Sequence, residues 1–151
     1  MSCTKNHIDT ILVVDDNEQN LELIQAYLED LDCRTLAATD GEEAIDIVKE
    51  QMPDLILLDV MMPKMSGYEV CKRLKAKPET TDIPVIMVTA LSELGDIERA
   101  VECGTDDFLS KPVNKLELLT RVKTMLKLKS VTDKLQKTLA YLEALQIQAP
   151  Q

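Results

Sequence analysis

Thr10-Ile-Leu-Val-Val-Asp15-Asp16-Asn17 is the stretch on which the fold turns. Four consecutive apolar residues, with no alternation of apolar and polar, describe a strand buried on both faces, as in a parallel sheet. Two carboxylates then end it abruptly. Leu21, Leu23, Ile24, Tyr27, Leu28 and Leu31 recur downstream at helical spacing, and Asn17 can cap the first turn.

The same order of strand, break and helix repeats along the chain. Arg34 to Ala38 reads as a second strand, followed by a helix over about 41–51 whose apolar face is Ala44, Ile45 and Val48, with Pro53 at its exit. Leu55-Ile-Leu-Leu58 is again wholly apolar and stops at an acid, Asp59. Pro63 and Gly67 break the following loop, and Tyr68, Val70, Cys71 and Leu74 form a third helix. Pro84 to Val88 is a fourth strand ending at Thr89-Ala90, and a helix over roughly 93–103 stops at Gly104, a left-handed cap. Phe108-Leu-Ser110 makes a short fifth strand before Lys111-Pro112. Everything after Asn114 has helical period.

Five such units predict a doubly wound α/β domain, a parallel sheet with helices on both faces. Periodicity leaves the strand order open. In such sheets ligands bind beyond the carboxyl ends of the strands, and the notable polar residues collect there. Asp15 and Asp16 follow the first strand, Asp59 the third, Thr89 the fourth and Lys111 the fifth.

Composition agrees with a single soluble domain: 151 residues, 45% hydrophobic and 29% charged. The formal net charge of -10 argues against nucleic acid, whose phosphates an acidic surface repels. It is unevenly placed, with net -14 over residues 1–114 and net +4 over 115–151. Cys3, Cys33, Cys71 and Cys103 show no paired or metal-type spacing and read as reduced thiols. His7 is a lone residue near the terminus and is given no role. No apolar stretch approaches the ~20 residues of a membrane span, so the expected location is the cytoplasm, without membrane contact.

Two adjacent carboxylates and a third from a neighbouring strand suit Mg²⁺, which takes octahedral oxygen ligation and retains water or phosphate oxygens. A carboxylate can also be a nucleophile toward phosphorus, with a cation offsetting the incoming charge. Lys111 supplies a mobile positive charge and Thr89 a hydroxyl donor. No Gly-Lys-Ser/Thr phosphate loop occurs, which disfavours ATP as a direct donor. Taken singly, Asp15, Asp16, Asp59, Thr89 and Lys111 could be helix caps, turn formers or solvated surface charges. Their convergence on one sheet edge favours a site.

At these residues the chain resembles the receiver domain of two-component response regulators. Leu-Val-Val-Asp15-Asp16-Asn, Leu-Leu-Asp59-Val-Met-Met-Pro63, Val-Thr89-Ala90 and Lys111-Pro112 stand where that family's motifs stand, over about residues 8–128. The resemblance implies a flavodoxin-like strand order of 2-1-3-4-5 and phosphorylation of Asp59 by a sensor histidine kinase. It implies Mg²⁺ held by Asp16, Asp59 and the backbone carbonyl of Met61, with Asp15 assisting. Thr89 and Lys111 would contact the phosphoryl group, Phe108 would swing in behind Thr89, and Lys111-Pro112 would be a cis peptide bond. Output would be a change of contacts with a downstream effector or output domain, on the surface of the fourth helix, fifth strand and fifth helix. Such a module would catalyse at most its own phosphorylation and dephosphorylation.

Three positions modify that picture. Phe108 lacks the hydroxyl of the commoner tyrosine and can report a switch only through packing. In the family the chain resembles, the positions held here by Met61 and Leu91 tune phosphate loss, and neither apolar side chain can orient a water. Slow self-dephosphorylation is therefore expected. Rival readings are weaker. A phosphatase of the haloacid-dehalogenase type places a second acid where Met61 stands, and a flavin or nucleotide carrier would want a phosphate-cradling loop in place of Asp15-Asp16-Asn17. A receiver-like domain that has lost signalling would not be expected to keep all five site residues.

The domain proper is assigned to residues 1–128 and a helical extension to 129–151. Within the final helix, Leu118, Leu119, Val122, Met125 and Leu126 can face the sheet. Leu128, Val131, Leu135, Thr138, Leu142 and Leu145 then follow alternating spacings of three and four, a short heptad seam flanked by lysines. It reads as a helix folded back on its own domain, a parallel coiled-coil homodimer, or a signalling helix leading to an output domain outside these residues.

Overall fold

The computed structural model of the chain describes residues 8–90, 98–99 and 101–148. A five-stranded parallel sheet of order β2-β1-β3-β4-β5 forms the middle layer. Its strands are β1 (Asp9–Val14), β2 (Cys33–Ala38), β3 (Leu55–Asp59), β4 (Val85–Thr89) and β5 (Asp107–Ser110). The helices are α1 (Glu18–Leu28), α2 (Gly41–Gln51), α3 (Gly67–Lys75) and a 34-residue C-terminal helix (Lys115–Gln148).

Two apolar layers follow from the period-2 alternation of the central strands. Leu12, Val14, Ile56, Leu58, Val85 and Met87 meet Ala44 and Val48 of α2 and Val70, Cys71 and Leu74 of α3. Ile11, Val13, Leu55, Leu57, Ile86 and Val88 meet Leu21, Ile24 and Leu28 of α1 and Leu118 and Val122 of the C-terminal helix. Every residue of β3 and β4 is buried, whereas the edge strands β2 and β5 are only partly so.

Local sequence sets the element ends. Asn17 caps α1, its side chain accepting from the amides of Gln19 and Asn20 at 2.9 and 3.2 Å. Asp40 and Ser66 cap α2 and α3 in the same way. The exit of α2 is made by Met52 in the left-handed region at φ 45, one residue before Pro53. Of the residues read onto the apolar face of α1, Leu23 departs from it, whereas Leu31 packs half-buried on the same layer from beyond the helix. Leu23 is 45% exposed, and Leu31 lies in the turn beyond the helix, its amide bonded to the Leu28 carbonyl at 2.9 Å.

The helix expected over 93–103 lies largely outside the described residues, as does Leu91. Glu98, Arg99, Val101 and Glu102 are helical, and Gly104 ends the segment at φ 88, the left-handed conformation expected of it. The C-terminal helix runs through residue 128 without a break. Asn114 begins it, accepting from the Glu117 amide at 2.9 Å. Cys33, Cys71 and Cys103 are free thiols, and burial pushes Cys71 up to about 12. No helix among the described residues is long and apolar enough to cross a membrane.

Candidate functional site

Strand topology brings the five polar residues to one edge. Asp59 and Thr89 are the last residues of β3 and β4, Asp15 and Asp16 directly follow β1, and Lys111 directly follows β5. Because parallel strands all point the same way, their carboxyl ends form one rim, where the crossovers leave a crevice.

Backbone nearby holds Asp15. The Asp15 amide donates to the Ala38 carbonyl at 3.1 Å, and Asp15 Oδ1 accepts from the Asn17 amide at 2.9 Å. This side chain is 1% exposed, Asp59 is 3% exposed, and Asp16 beside them is open to solvent. One carboxylate oxygen from each of the three lies within 4.8 Å of the others. Lys111 Nζ stands 2.9 Å from Asp59 Oδ1 and 3.5 Å from Asp15 Oδ2. Those two buried oxygens have no well-aligned hydrogen-bond donor. Three carboxylates face one ammonium, and two buried acceptors are left with charge alone to satisfy them.

The electrostatics carry the same imbalance. Burial pushes the Asp59 carboxyl above the usual aspartate value; Lys111 opposes the rise, while Asp15 and Asp16 add to it. Burial alone would lower the Lys111 ammonium, but Asp59 and Asp15 outweigh it and hold Lys111 above the ordinary lysine value. A hard cation with octahedral oxygen ligation fits this donor set, which contains only oxygen atoms and includes two buried, unsatisfied ones. These are the residues that would hold Mg²⁺.

Thr89 is buried, and its carbonyl accepts from the Lys111 amide at 2.8 Å, so the hydroxyl and ammonium residues are tied through the main chain. The Lys111-Pro112 peptide bond is cis. Phe108 pairs with Met87 in register and packs, half-buried, against the layer containing α2 and α3. Thr89 is two residues beyond Met87 on the same strand, so Thr89 and Phe108 address the same face of the sheet. Met61 is 75% exposed in the loop after Asp59.

Gly67 has a role that sequence reading missed, having taken it only as a breaker. A Cβ there would sit 2.2 Å from the Asp59 carbonyl oxygen, and the Gly67 amide donates to the Val60 carbonyl at 2.9 Å. The start of α3 thus lies directly on the main chain of Asp59 and fixes it. Only the contact itself reveals this, because a glycine after a proline-containing loop carries many meanings.

Residues 11–123 match the family model of the response regulator receiver domain. The chain is 44% identical over 126 residues to the response regulator PleD of Caulobacter vibrioides, covering 83% of this chain and 28% of that protein. It is 43% identical over 118 residues to the heme response regulator HssR of Staphylococcus saprophyticus, covering 78% of this chain and 51% of the relative. It therefore spans between about a quarter and a half of the length of these relatives. Among solved structures, the receiver domain of a signal transduction histidine kinase from Syntrophus aciditrophicus aligns with a TM-score of 0.75 at 39% identity, over 79% of this chain and 90% of that one. The receiver domain of a sensor histidine kinase from Pseudomonas aeruginosa, described with a magnesium ion coordinated in its active-site cleft, aligns with a TM-score of 0.74 at 30% identity, over 80% and 99%. Sheet order, rim and sequence lead to one conclusion: the chain belongs to the response regulator receiver domain family.

Proposed function

We propose that Asp59 accepts a phosphoryl group from the phosphohistidine of a sensor histidine kinase, and that the modified domain changes its contacts with a downstream effector or output domain. The observation that carries this reading is the buried Asp59 carboxylate, grouped within 4.8 Å of Asp15 and Asp16 and 2.9 Å from Lys111.

An Asp59 oxygen attacks phosphorus as the bond to the donor nitrogen breaks, and the imidazole leaves with its electron pair. Lys111 holds negative charge on the transferred group, and the Thr89 hydroxyl donates to another of its oxygens. Asp15, Asp16, Asp59 and the Met61 carbonyl would hold Mg²⁺, which supplies positive charge where phosphate oxygens meet carboxylates. When Thr89 is drawn toward the new group it vacates space on the face it shares with Phe108, whose ring follows by packing. The domain turns over no separate substrate, acting only on its own phosphorylation state. A location in the cytoplasm, beside the kinase's catalytic region, completes the reading.

The test is the intact mass after incubation with a small phosphodonor. The parent gains one phosphate only when Mg²⁺ is present, Asp59→Asn gains none, and Asp16→Asn needs at least ~10-fold more Mg²⁺. Equal incorporation in Asp59→Asn, or incorporation without a divalent cation, overturns the assignment.

A further inference from the structure

Two of the three described cysteines lie side by side on neighbouring elements. Cys71 is fully buried on α3, and its thiol donates to the Cys103 carbonyl at 3.3 Å. Cys103 is half-buried and packs against the same apolar layer. Their contact is one of a row. Tyr68, Cys71 and Lys75 stand three and four residues apart on α3, hence on one face of it, and they meet Arg99, Cys103 and Gly104 in that order. The Arg99 guanidinium lies 4.5 Å from the centre of the Tyr68 ring, and a Cβ on Gly104 would come within 3.1 Å of the Lys75 side chain. The helix that ends at Cys103 thus runs along α3 with the two cysteines matched. Cys33 packs against the apolar layer on the other face of the sheet and cannot compete.

We infer that Cys71 and Cys103 form a reversible disulfide when the chain meets a peroxide, fastening the helix that ends at Cys103 onto α3. Access sets the order of events, because peroxide meets the half-buried Cys103 before the enclosed Cys71. Burial raises the Cys103 thiol above its ordinary value, opposed by Arg99 and Lys72, whereas burial pushes Cys71 up to about 12. The Cys103 thiolate takes one peroxide oxygen as the O–O bond breaks, giving a sulfenic acid and, after protonation, a water. The Cys71 sulfur then attacks the Cys103 sulfur, the S–O bond breaks, and the Cys71 proton leaves with that oxygen as a second water. Two thiols have lost two electrons, and one peroxide has been reduced. A thiol donor reverses the bond, which is transient in a reducing compartment.

A consequence for the Asp59 rim rests on the phosphoacceptor reading. Gly67, next to Tyr68 at the start of α3, lies directly on the main chain of Asp59. Phe108 packs against the same apolar layer as Cys103. A covalent tie between Cys71 and Cys103 favours the arrangement present without phosphate. It raises the cost of any shift of this helix relative to α3 that accompanies phosphorylation, so the oxidised chain takes up phosphate more slowly.

Peptide mass mapping of the full chain after mild treatment with hydrogen peroxide tests the bond. Trypsin leaves Cys71 in residues 65–72 and Cys103 in residues 100–115, so the disulfide is read as these two peptides joined, and dithiothreitol separates them. Cys103→Ser abolishes the joined species, as does Cys71→Ala. The oxidised parent gains phosphate from a small phosphodonor with Mg²⁺ at least ~5-fold more slowly than the reduced parent, whereas peroxide leaves the rate of Cys103→Ser unchanged. Absence of the joined peptides overturns the inference, as does Cys103 joined instead to Cys3 or Cys33, or an equal rate in the oxidised and reduced parent. A reduced parent that gains no phosphate overturns the phosphoacceptor reading alone, and the joined peptides still decide the bond.

Discussion

The carboxyl rim of the sheet and the distal half of the C-terminal helix are both incompletely satisfied, in opposite ways. The rim buries charge: Asp15 and Asp59 are almost inaccessible, share one lysine, and leave two oxygens without a hydrogen-bond donor. The helix does the reverse and exposes leucines that could be buried. A small cation suits the first, because positive charge relieves a cluster of carboxylates, two of them buried. Only a macromolecular surface can relieve the second, since apolar area is removed from water by contact over many square ångströms. A single domain thus separates a buried, charged rim from an exposed, apolar helix face.

The strongest way to break the comparison is to disturb the rim without altering any of its charges. Gly67→Ala places a Cβ against the Asp59 backbone and should cost about 3 kcal/mol, or ~100-fold in the folding equilibrium, with the exposed helix unaffected. Denaturant unfolding checks it. A cost under about 1 kcal/mol would mean that the start of α3 can retreat, and that Gly67 does not fix the site.

Next in size is the lifetime of the phosphorylated state. Met61 is exposed beside the site but has no group to orient water. Met61→Asn should hasten loss of phosphate about 10-fold, followed by intact mass over time. Decay no faster than in the parent would remove Met61 from that role.

The smallest effect concerns the strain of the rim itself. The folded-state pKa of Asp59 is raised by burial, with Asp15 and Asp16 adding to the rise against Lys111, so the folded state binds the proton more tightly than the unfolded chain. Stability falls as pH rises through the unfolded value toward the folded one, and the loss is complete above it. Asp59→Asn should therefore be more stable than the parent near pH 7, by about 1 kcal/mol or 2–4 °C in Tm, and show no gain near pH 3, where both residues are neutral. Thermal melts without divalent cations measure this. Added Mg²⁺ should shrink the difference by stabilising only the parent.

The parts of the molecule legible in sequence were those where a single physical requirement dominates. Ile11–Val14 and Leu55–Leu58 have the character of doubly buried strands, and the acids ending them marked the rim before any strand order was known. Residues with several options were harder. Leu23 has helical spacing yet faces water, because Leu21, Ile24 and Leu28 already fill the space against the sheet. Gly67 gave no signal of its close approach to Asp59, which depends on the path of a loop rather than on local preference. Asp15, Asp16, Asp59, Thr89 and Lys111 were identified by place and chemistry. Their distances, and the two unsatisfied oxygens, required the fold.

Lys111 and Lys115 frame a further consequence. Lys111, 2.9 Å from Asp59, lies four positions before the base of a helix 34 residues long, which at 1.5 Å per residue is a rod of about 51 Å. Geometry makes that rod an amplifier: a tilt of roughly 5° at its base displaces its far end by about 4 Å. A movement too small to disturb the packing around Thr89 is, at the tip, as large as the spacing between neighbouring side chains.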